Sequence, residues 1–154
     1  MSLLIRRMTL EDVPSVHVID VLSFSLPWPE RSYRFEVAEN PAARCWVVES
    51  GDRLAAMLVL WLLVDEAHIA TIATHPDFRR QHIADGLLVA SLVAARKEGA
   101  KKAFLEVRAG NQPALALYQK YGFYQAGIRP KYYKDNNEDA ILMNLDDLQS
   151  LEAA

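Results

Sequence analysis

The chain has 154 residues, a hydrophobic content of 51% and a formal net charge of −3 at pH 7. A chain of this length forms one ordinary domain with a substantial core, and its hydrophobic content excludes a disordered protein. The slight acidic excess argues against a nucleic acid as partner, because phosphate backbones bind strongly basic surfaces. We therefore expect one folded domain over residues 1–154 with no nucleic-acid partner.

Cysteine use and the apolar runs give expectations about location. Cys45 is the single cysteine, so an internal disulfide is excluded, and this favours a cytoplasmic setting. The apolar run over residues 54–64 is too short to span a bilayer, and we expect no membrane partner. His17, His68 and His75 show no ligand spacing and no nearby cluster of acidic residues or cysteines. We assign these three histidines core or surface roles and expect no metal site.

The N-terminal half predicts two helices followed by a strand hairpin. A short strand over residues 3–6 precedes a helix over about 11–23, and a second helix follows Pro29. The turn signal SGD then separates a strand over 45–49 from a long apolar strand over 54–64. We expect this long strand to be buried on both faces of a sheet.

The C-terminal half alternates strands and helices. A strand over residues 68–74 precedes a helix over about 82–98, which Gly99 ends. The next strand carries Glu106, a helix with Pro113 in its first turn follows, and two strands flank the turn KDNNED. This order predicts an α/β fold with a mixed β-sheet and helices on both faces. The buried stripe expected for the helix over 82–98 is Ile83, Leu87, Leu88, Leu92 and Ala95.

Residues 104–123, FLEVRAGNQPALALYQKYGF, place groups suited to acid–base chemistry in one short segment. Alternation puts Glu106 on the strand face opposite Leu105 and Val107, near the strand's C-terminal end. Tyr118 lies on the apolar stripe of the following helix. Glu106 is suited to accept a proton, and Tyr118 to donate one, across a cleft between the two elements. Each also has an ordinary structural explanation, as a solvated strand glutamate and a core tyrosine.

This segment resembles the active-site region of the GNAT N-acetyltransferases, and most closely that of the RimI branch, whose pattern is LEVRxxNxxAxxLYxxxGF. The resemblance extends through residues 65–88 and 128–145, so it covers well over half of the chain. It implies the GNAT-like α/β fold and acetyl-CoA as cosubstrate. It also implies acetyl transfer to the α-amine of a protein N-terminus. The RimI branch points to the N-terminal alanine of a small-subunit ribosomal protein.

The resemblance assigns roles to residues at matching positions. Glu106, directly or through water, takes the proton of the acceptor amine, and Tyr118 protonates the departing sulfur. The strand segment that holds Ile72, Ala73 and Thr74 pairs its backbone with the pantetheine arm of the cofactor. A backbone N–H of the same segment stabilises the oxyanion that develops during transfer.

Further positions follow from the same resemblance. Asn111 matches an asparagine that contacts the cofactor, while Trp28 and Tyr133 match segments that border the peptide site. Both aromatic residues are equally suited to packing. The resemblance implies that the loop before the helix over 82–98 binds the pyrophosphate of acetyl-CoA. A helix N-terminus exposes unpaired N–H groups that suit an anion, and Arg79 and Arg80 would add positive charge there. The assigned loop residues are Arg80, Gln81, His82, Ile83, Ala84 and Asp85.

This loop departs from the family pattern R/QxxGxG/A. His82 stands where the first glycine is expected, and a Cβ at positive φ costs on the order of 1 kcal/mol. An imidazolium that pairs with phosphate would partly offset this cost, and cofactor binding would then weaken as the pH rises. Ala84 is a tolerated family variant, whereas Asp85 replaces a basic residue common in RimI members. We expect Asp85 to point outward, where it suits the helix dipole without repelling the pyrophosphate.

Several acceptor classes are compatible with these residues. Near neutrality roughly a tenth of α-amines are uncharged, against fewer than about one lysine side chain in a thousand, so a single carboxylate favours an α-amine. The alternatives are an enzyme acting on lysine or on small-molecule amines, and a non-catalytic acyl-CoA sensor. The joint presence of Glu106, Asn111 and Tyr118 argues against a decayed site. Cys45 has no evident base partner, which argues against a covalent enzyme intermediate.

Overall fold

The computed structural model describes residues 2–151, which form a seven-stranded sheet and four α-helices. The strands are β1 Leu3–Arg7, β2 Ala43–Ser50, β3 Arg53–Leu63, β4 Glu66–Thr74, β5 Lys102–Arg108, β6 Tyr124–Tyr133 and β7 Glu138–Leu145. The helices are α1 Val13–Ser23, α2 Glu30–Ala38, α3 Ile83–Lys97 and α4 Gln112–Lys120. Short 3₁₀ turns cover Leu10–Asp12, Pro76–Phe78 and Leu148–Ser150.

The sheet is mixed, with the strand order β1-β2-β3-β4-β5-β7-β6. Neighbouring strands are antiparallel except β4 and β5, which run parallel. One face packs against α3 and α4, through a core that includes Leu58, Leu87, Leu105 and Tyr118. The other face packs against α1 and α2, through a core that includes Val16, Ile19, Tyr33 and Val59. The expected α/β fold with a GNAT-like mixed sheet and helices on both faces is therefore confirmed.

The first helix begins later than its sequence pattern predicts. A 3₁₀ turn over Leu10–Asp12 precedes α1, and Asp12 accepts the Thr9 backbone N–H at 2.8 Å. The Arg6 guanidinium donates to the same carboxylate at 2.8 Å. The Arg6 hydrogen bond is the main cause that holds the pKa of Asp12 below its usual range. These contacts fix the entry to α1 against β1.

The two strongest apolar patterns behave as expected. Residues 55–60 of β3 are all buried, which confirms a central strand covered on both faces. The five stripe residues of α3, from Ile83 to Ala95, are likewise buried, and Gly99 follows the helix with φ of +108°. No helix within residues 2–151 is both long enough and apolar enough to cross a lipid bilayer.

The feature that positions the site is a separation between β4 and β5. Their parallel pairing stops at Ile69 and Leu105, so the last five residues of β4 have no neighbour on that side. On the other side, Ile69 pairs with Leu60 and Thr71 with Val59, which leaves Ala70 as a bulge. A bulge bends a strand and increases its local twist. A cleft consequently opens in the middle of the sheet.

Candidate active site

The cleft between β4 and β5 has a volume of about 1100 Å³. Its walls come from the second half of β4, the end of β5, the N-terminus of α3, helix α4 and the segment that joins α1 to α2. Every site residue that the sequence singled out lines this cleft except Gln81. Positions far apart in the chain therefore meet at one place.

Glu106 reaches the cleft from the sheet face that carries α1 and α2. Its neighbours Leu105 and Val107 enter the opposite core, as alternation along β5 requires. The Glu106 carboxylate is 20% exposed and lies 2.9 Å from Nε2 of His68. This hydrogen bond outweighs the effect of burial and, with the nearby Arg129 charge, holds the pKa of Glu106 below its usual range. Glu106 is therefore ionised near neutral pH.

His68 is a site residue that the sequence reasoning missed. We assigned it a core or surface role because no acidic cluster lies near it in the sequence, whereas in the fold Glu106 lies against its ring. In the sheet His68 pairs with Trp61 of β3 and with Phe104 of β5, so these three side chains form one row on one face. Glu106 lies two residues beyond Phe104 on that face. Only the register of β4 against β5 reveals this neighbour, and the sequence does not specify that register.

Tyr118 reaches the cleft from the opposite face. It lies on α4, is 5% exposed and packs against Phe123 with ring centroids 5.7 Å apart. Burial, together with the neighbouring Tyr133, raises the pKa of the Tyr118 hydroxyl, so this group keeps its proton near neutral pH. A carboxylate ready to accept a proton and a phenol that retains one thus face the cleft from opposite sides of the sheet.

The end of β4 presents unpaired backbone to the cleft. Ala73 pairs with Met57 of β3, and Thr74 pairs with Ala56, but neither has a partner on the β5 side. Alternate residues of a strand direct their N–H and C=O groups to each edge. The segment with Ile72, Ala73 and Thr74 therefore offers backbone donors and acceptors inside the cleft. Its last carbonyl, that of Thr74, already accepts the Arg79 guanidinium at 3.1 Å.

The loop before α3 is defined by backbone conformation. Arg80 and His82 have φ of 65° and 59°, so His82 adopts the positive φ expected at a glycine position. The His82 side chain is 79% exposed and makes no capping hydrogen bond to α3. The first N–H groups of α3, at Ile83 and Ala84, accordingly have no side-chain acceptor from the N-cap residue. A helix N-terminus of this kind suits an anion.

Asp85 does not point outward as we expected. Its carboxylate accepts the Lys120 ammonium and the Tyr121 hydroxyl, each at 2.8 Å, and lies 3.6 Å from Nδ1 of His82. Burial opposes ionisation, but the Lys120 and Tyr121 hydrogen bonds outweigh it and hold the pKa of Asp85 below its usual range. Asp85 therefore connects α3 to α4 with its charge compensated. This contact could not be predicted from sequence patterns, because both partners lie more than 30 residues away.

Trp28 belongs both to the cleft wall and to an aromatic group beneath it. Its ring packs against Tyr33 at 5.2 Å and stacks with Trp61 at 6.5 Å between ring centroids. Its backbone N–H donates to the buried carboxylate of Asp20 at 3.1 Å.

Asn111 has a local structural role, because its side-chain oxygen caps α4 by accepting a backbone N–H at 3.2 Å.

Tyr133 lies at the entrance to the cleft beneath a charged group. The Arg108 guanidinium covers its ring at 4.0 Å, and burial raises the pKa of Tyr133 to about 12. Arg108 also pairs with Asp135 at 3.0 Å and with Glu138 at 3.2 Å. Ser25, in the segment between α1 and α2, contacts the same Asp135. These contacts join the turn between β6 and β7 to the other wall of the cleft.

Comparison with known proteins supports the family resemblance seen in the sequence. The family model described as the Acetyltransferase (GNAT) family matches residues 13–123. The [ribosomal protein bS18]-alanine N-acetyltransferase of Escherichia coli (strain K12) is 35% identical over 138 residues, which cover 87% of this chain and 90% of that protein. A protein of Bacillus subtilis (strain 168) that provisionally carries the same name is 39% identical over 139 residues, 90% of this chain and 92% of its own.

Solved structures agree with this relationship. The ribosomal-protein-S18-alanine N-acetyltransferase from Escherichia coli superposes with a TM-score of 0.86 at 32% identity, over 94% of this chain and 93% of its own. Ard1 from Thermoplasma volcanium also gives a TM-score of 0.86, at 26% identity, over 94% of this chain and 97% of its own. GNAT acetyltransferases use acetyl-CoA as the acetyl donor. From the family match, the relatives and the shared fold, we conclude that the chain belongs to the GNAT family and is an N-acetyltransferase.

Proposed function

We propose that this enzyme transfers the acetyl group of acetyl-CoA to the α-amine of a protein N-terminus. We further propose that the N-terminal alanine of ribosomal protein bS18 is its acceptor. Two relatives with 35% and 39% identity are named for that reaction, and both match the chain over nearly its full length. A ribosomal acceptor implies that the enzyme works in the cytoplasm. The observation that carries the proposal is that the side chains of Glu106 and Tyr118 line one cleft from opposite faces of the sheet.

Glu106 is the proposed general base. An α-ammonium must lose a proton before its nitrogen becomes a nucleophile, and Glu106 accepts that proton directly or through one water. The pKa of Glu106 is held low by His68, which keeps the carboxylate charged and attractive to an ammonium group. A weak base of this kind suits an α-amine, of which roughly a tenth is already uncharged near pH 7, better than it suits lysine.

Tyr118 is the proposed general acid. A thiolate leaving group gains stability when it is protonated as it departs, and the Tyr118 hydroxyl retains a proton for this step because burial raises its pKa.

Cys45 has no part in the proposed reaction. It is 4% exposed, and burial raises the pKa of its thiol to about 11, so little thiolate exists to attack a thioester. Direct transfer to the amine follows.

The polar groups that line the cleft support acetyl-CoA as its ligand. The unpaired edge of β4 at Ile72, Ala73 and Thr74 can hydrogen-bond the amide groups of the pantetheine arm, and one of its N–H groups can stabilise charge on the acetyl oxygen. The N-terminus of α3, with Arg80, His82 and Ala84, suits the pyrophosphate. When bound, acetyl-CoA supplies an activated acyl group; the residues named above orient it and move protons around it.

The test is acetyl-CoA-dependent thiol release with matched acceptors. The panel contains short peptides that begin with Ala, Ser, Met or Glu, the Ala peptide with its N-terminus blocked, and a blocked peptide with an internal lysine. We expect turnover of the Ala peptide and none with its blocked form. Equal turnover of all free N-termini would broaden the acceptor to protein α-amines in general. Preferential turnover of the blocked lysine peptide or of free small amines would overturn the proposal, and so would measurable acetyl-CoA binding without any turnover.

A further inference from the structure

The outer face of α1 is apolar although it faces solvent. Val18, Val21 and Leu22 are 52%, 51% and 51% exposed. Their i, i+3, i+4 spacing makes them neighbours on the helix surface. The opposite face of the same helix is apolar too, with Val16 and Ile19 buried in the core. A helix that is apolar on every side is normally covered on every side, so the outer face of α1 is suited to a partner.

This concentration of apolar surface distinguishes α1 from the other helices. α1 contains no Lys, Arg or Glu, and its Asp20 is buried, so no exposed carboxylate or ammonium group interrupts the outer face. By comparison, α2 exposes Phe35, and within residues 2–151 neither α3 nor α4 has a large apolar side chain that is mostly exposed. Clustered apolar surface marks binding sites, whereas single exposed apolar residues are ordinary.

The apolar face of α1 continues into the wall of the cleft. Ser23, which directly follows Leu22 and ends α1, lines the cleft. Leu26 also lines the cleft and is 54% exposed. Because α1 ends at the cleft, an acceptor chain that leaves the cleft on this side passes over its outer face. We name the four half-exposed side chains there the α1 patch: Val18, Val21, Leu22 and Leu26.

The size of the α1 patch suits a short extended segment better than a second copy of this chain. Four half-exposed side chains present far less surface than the roughly 800 Å² per partner that a standard stable interface buries. Val18 and Leu22 are separated by about 6 Å along the helix axis. Alternate residues of an extended chain point to the same side and are about 7 Å apart. Two apolar side chains at alternate positions of an extended acceptor therefore match this spacing.

We propose that the α1 patch binds apolar side chains of the acceptor protein a few residues after its reacting N-terminus. This inference rests on the proposed function, because it requires a polypeptide acceptor. The patch contains neither Glu106 nor Tyr118. Its contacts with the acceptor should therefore lower the KM for long acceptors and leave kcat and the KM for acetyl-CoA unchanged.

The test compares three acceptor peptides that share their first four residues and begin with Ala. One ends after those four residues, one continues to ten residues with leucine at positions 5 and 7, and one has serine at these two positions. We expect the KM of the leucine peptide to be about 5- to 20-fold below that of the serine peptide, because its leucines leave water on binding. In Leu22→Gln this advantage should fall to about 2-fold or less.

Leu63→Gln is the matched control for Leu22→Gln. It makes the same substitution at another exposed leucine, which pairs with Glu66 at the end of β4 away from the cleft. The leucine peptide should keep its full advantage in this variant. Both leucines are exposed, so both variants should melt at the wild-type temperature.

The outcomes separate this inference from the underlying proposal. A leucine advantage that survives in Leu22→Gln, or that is absent from the wild type while the peptides are turned over, would overturn the role of the α1 patch alone. A wild-type dimer in light scattering that Leu22→Gln dissociates would assign the patch to a second copy and would also overturn it. Measurable acetyl-CoA binding without turnover of any of the three peptides would remove the proposed function, and this inference with it.

Discussion

The two ends of the cleft are built differently. At the proposed acceptor end, Glu106 is half-buried and contacts side chains, namely His68 and, beyond it, the aromatic row of Trp61 and Phe104. At the proposed cofactor end, the loop before α3 is defined by its backbone, with positive φ at Arg80 and His82 and an exposed imidazole. The acceptor end should therefore be sensitive to single atoms of its side chains. The cofactor end should respond mainly to changes in backbone freedom and net charge.

The largest effect is expected at Glu106. Glu106→Gln keeps the shape of the side chain but removes the base, so kcat/KM should fall by about 10²- to 10⁴-fold. Acetyl-CoA affinity, measured by calorimetry, should stay within experimental scatter of the wild type. Glu66→Gln is the matched control, because Glu66 pairs with Lys102 at the opposite end of β4. Similar losses of activity in both variants would mean that Glu106 has no specific role as the base.

A smaller loss is expected at Tyr118. Tyr118→Phe keeps the packing against Phe123 and removes only the hydroxyl, so kcat should fall by about 10- to 100-fold while the melting temperature is preserved. Tyr124→Phe removes a hydroxyl that bonds to exposed Asp146 and should leave kcat at the wild-type value. Full activity in Tyr118→Phe would assign leaving-group protonation to water.

At the cofactor end, variants of His82 separate the effect of backbone conformation from the effect of side-chain charge. Glycine at φ of 59° relieves strain on the order of 1 kcal/mol, so His82→Gly should raise the melting temperature by about 2–4 °C. His82→Ala keeps a Cβ in the same conformation and should not be stabilised. If the imidazole contacts the phosphate groups, both variants should lose affinity for acetyl-CoA. Unchanged affinity in both variants would mean that the loop binds the cofactor through its backbone alone.

The smallest effect concerns the charge of Asp85. Lys120→Met leaves that carboxylate without its cation near the N-terminus of α3, and the Kd for acetyl-CoA should rise by about 2- to 5-fold. Adding Asp85→Asn removes the uncompensated charge and should restore the affinity. Calorimetric titration of the two single variants and the double variant gives the coupling directly. Additive losses would show that the Asp85–Lys120 contact has no bearing on cofactor binding.

Much of the fold could be predicted because it depends on local patterns. The apolar run of β3, the stripe of α3 and the turn signals specified helices and strands on both faces of a mixed sheet, and family resemblance identified the cleft residues. The His68–Glu106 contact could not be predicted, because it depends on the register between β4 and β5. The same is true of Asp85, whose partners come from the far end of α4. Long-range side-chain pairs of this kind leave no periodic signal in one sequence.

The separation of β4 from β5 leaves the unpaired edge of β4 inside the sheet, where strands of other chains have less access to it. Unpaired strand edges invite pairing with other chains and are a common origin of aggregation. Here the free hydrogen-bonding groups of β4 lie in the interior of the sheet, flanked by β5 and by the helix start at Ile83. An edge enclosed in this way is not presented at the outer margin of the sheet, where strands of other chains pair. The edge can therefore remain permanently ready for a ligand without making the enzyme prone to self-association through it.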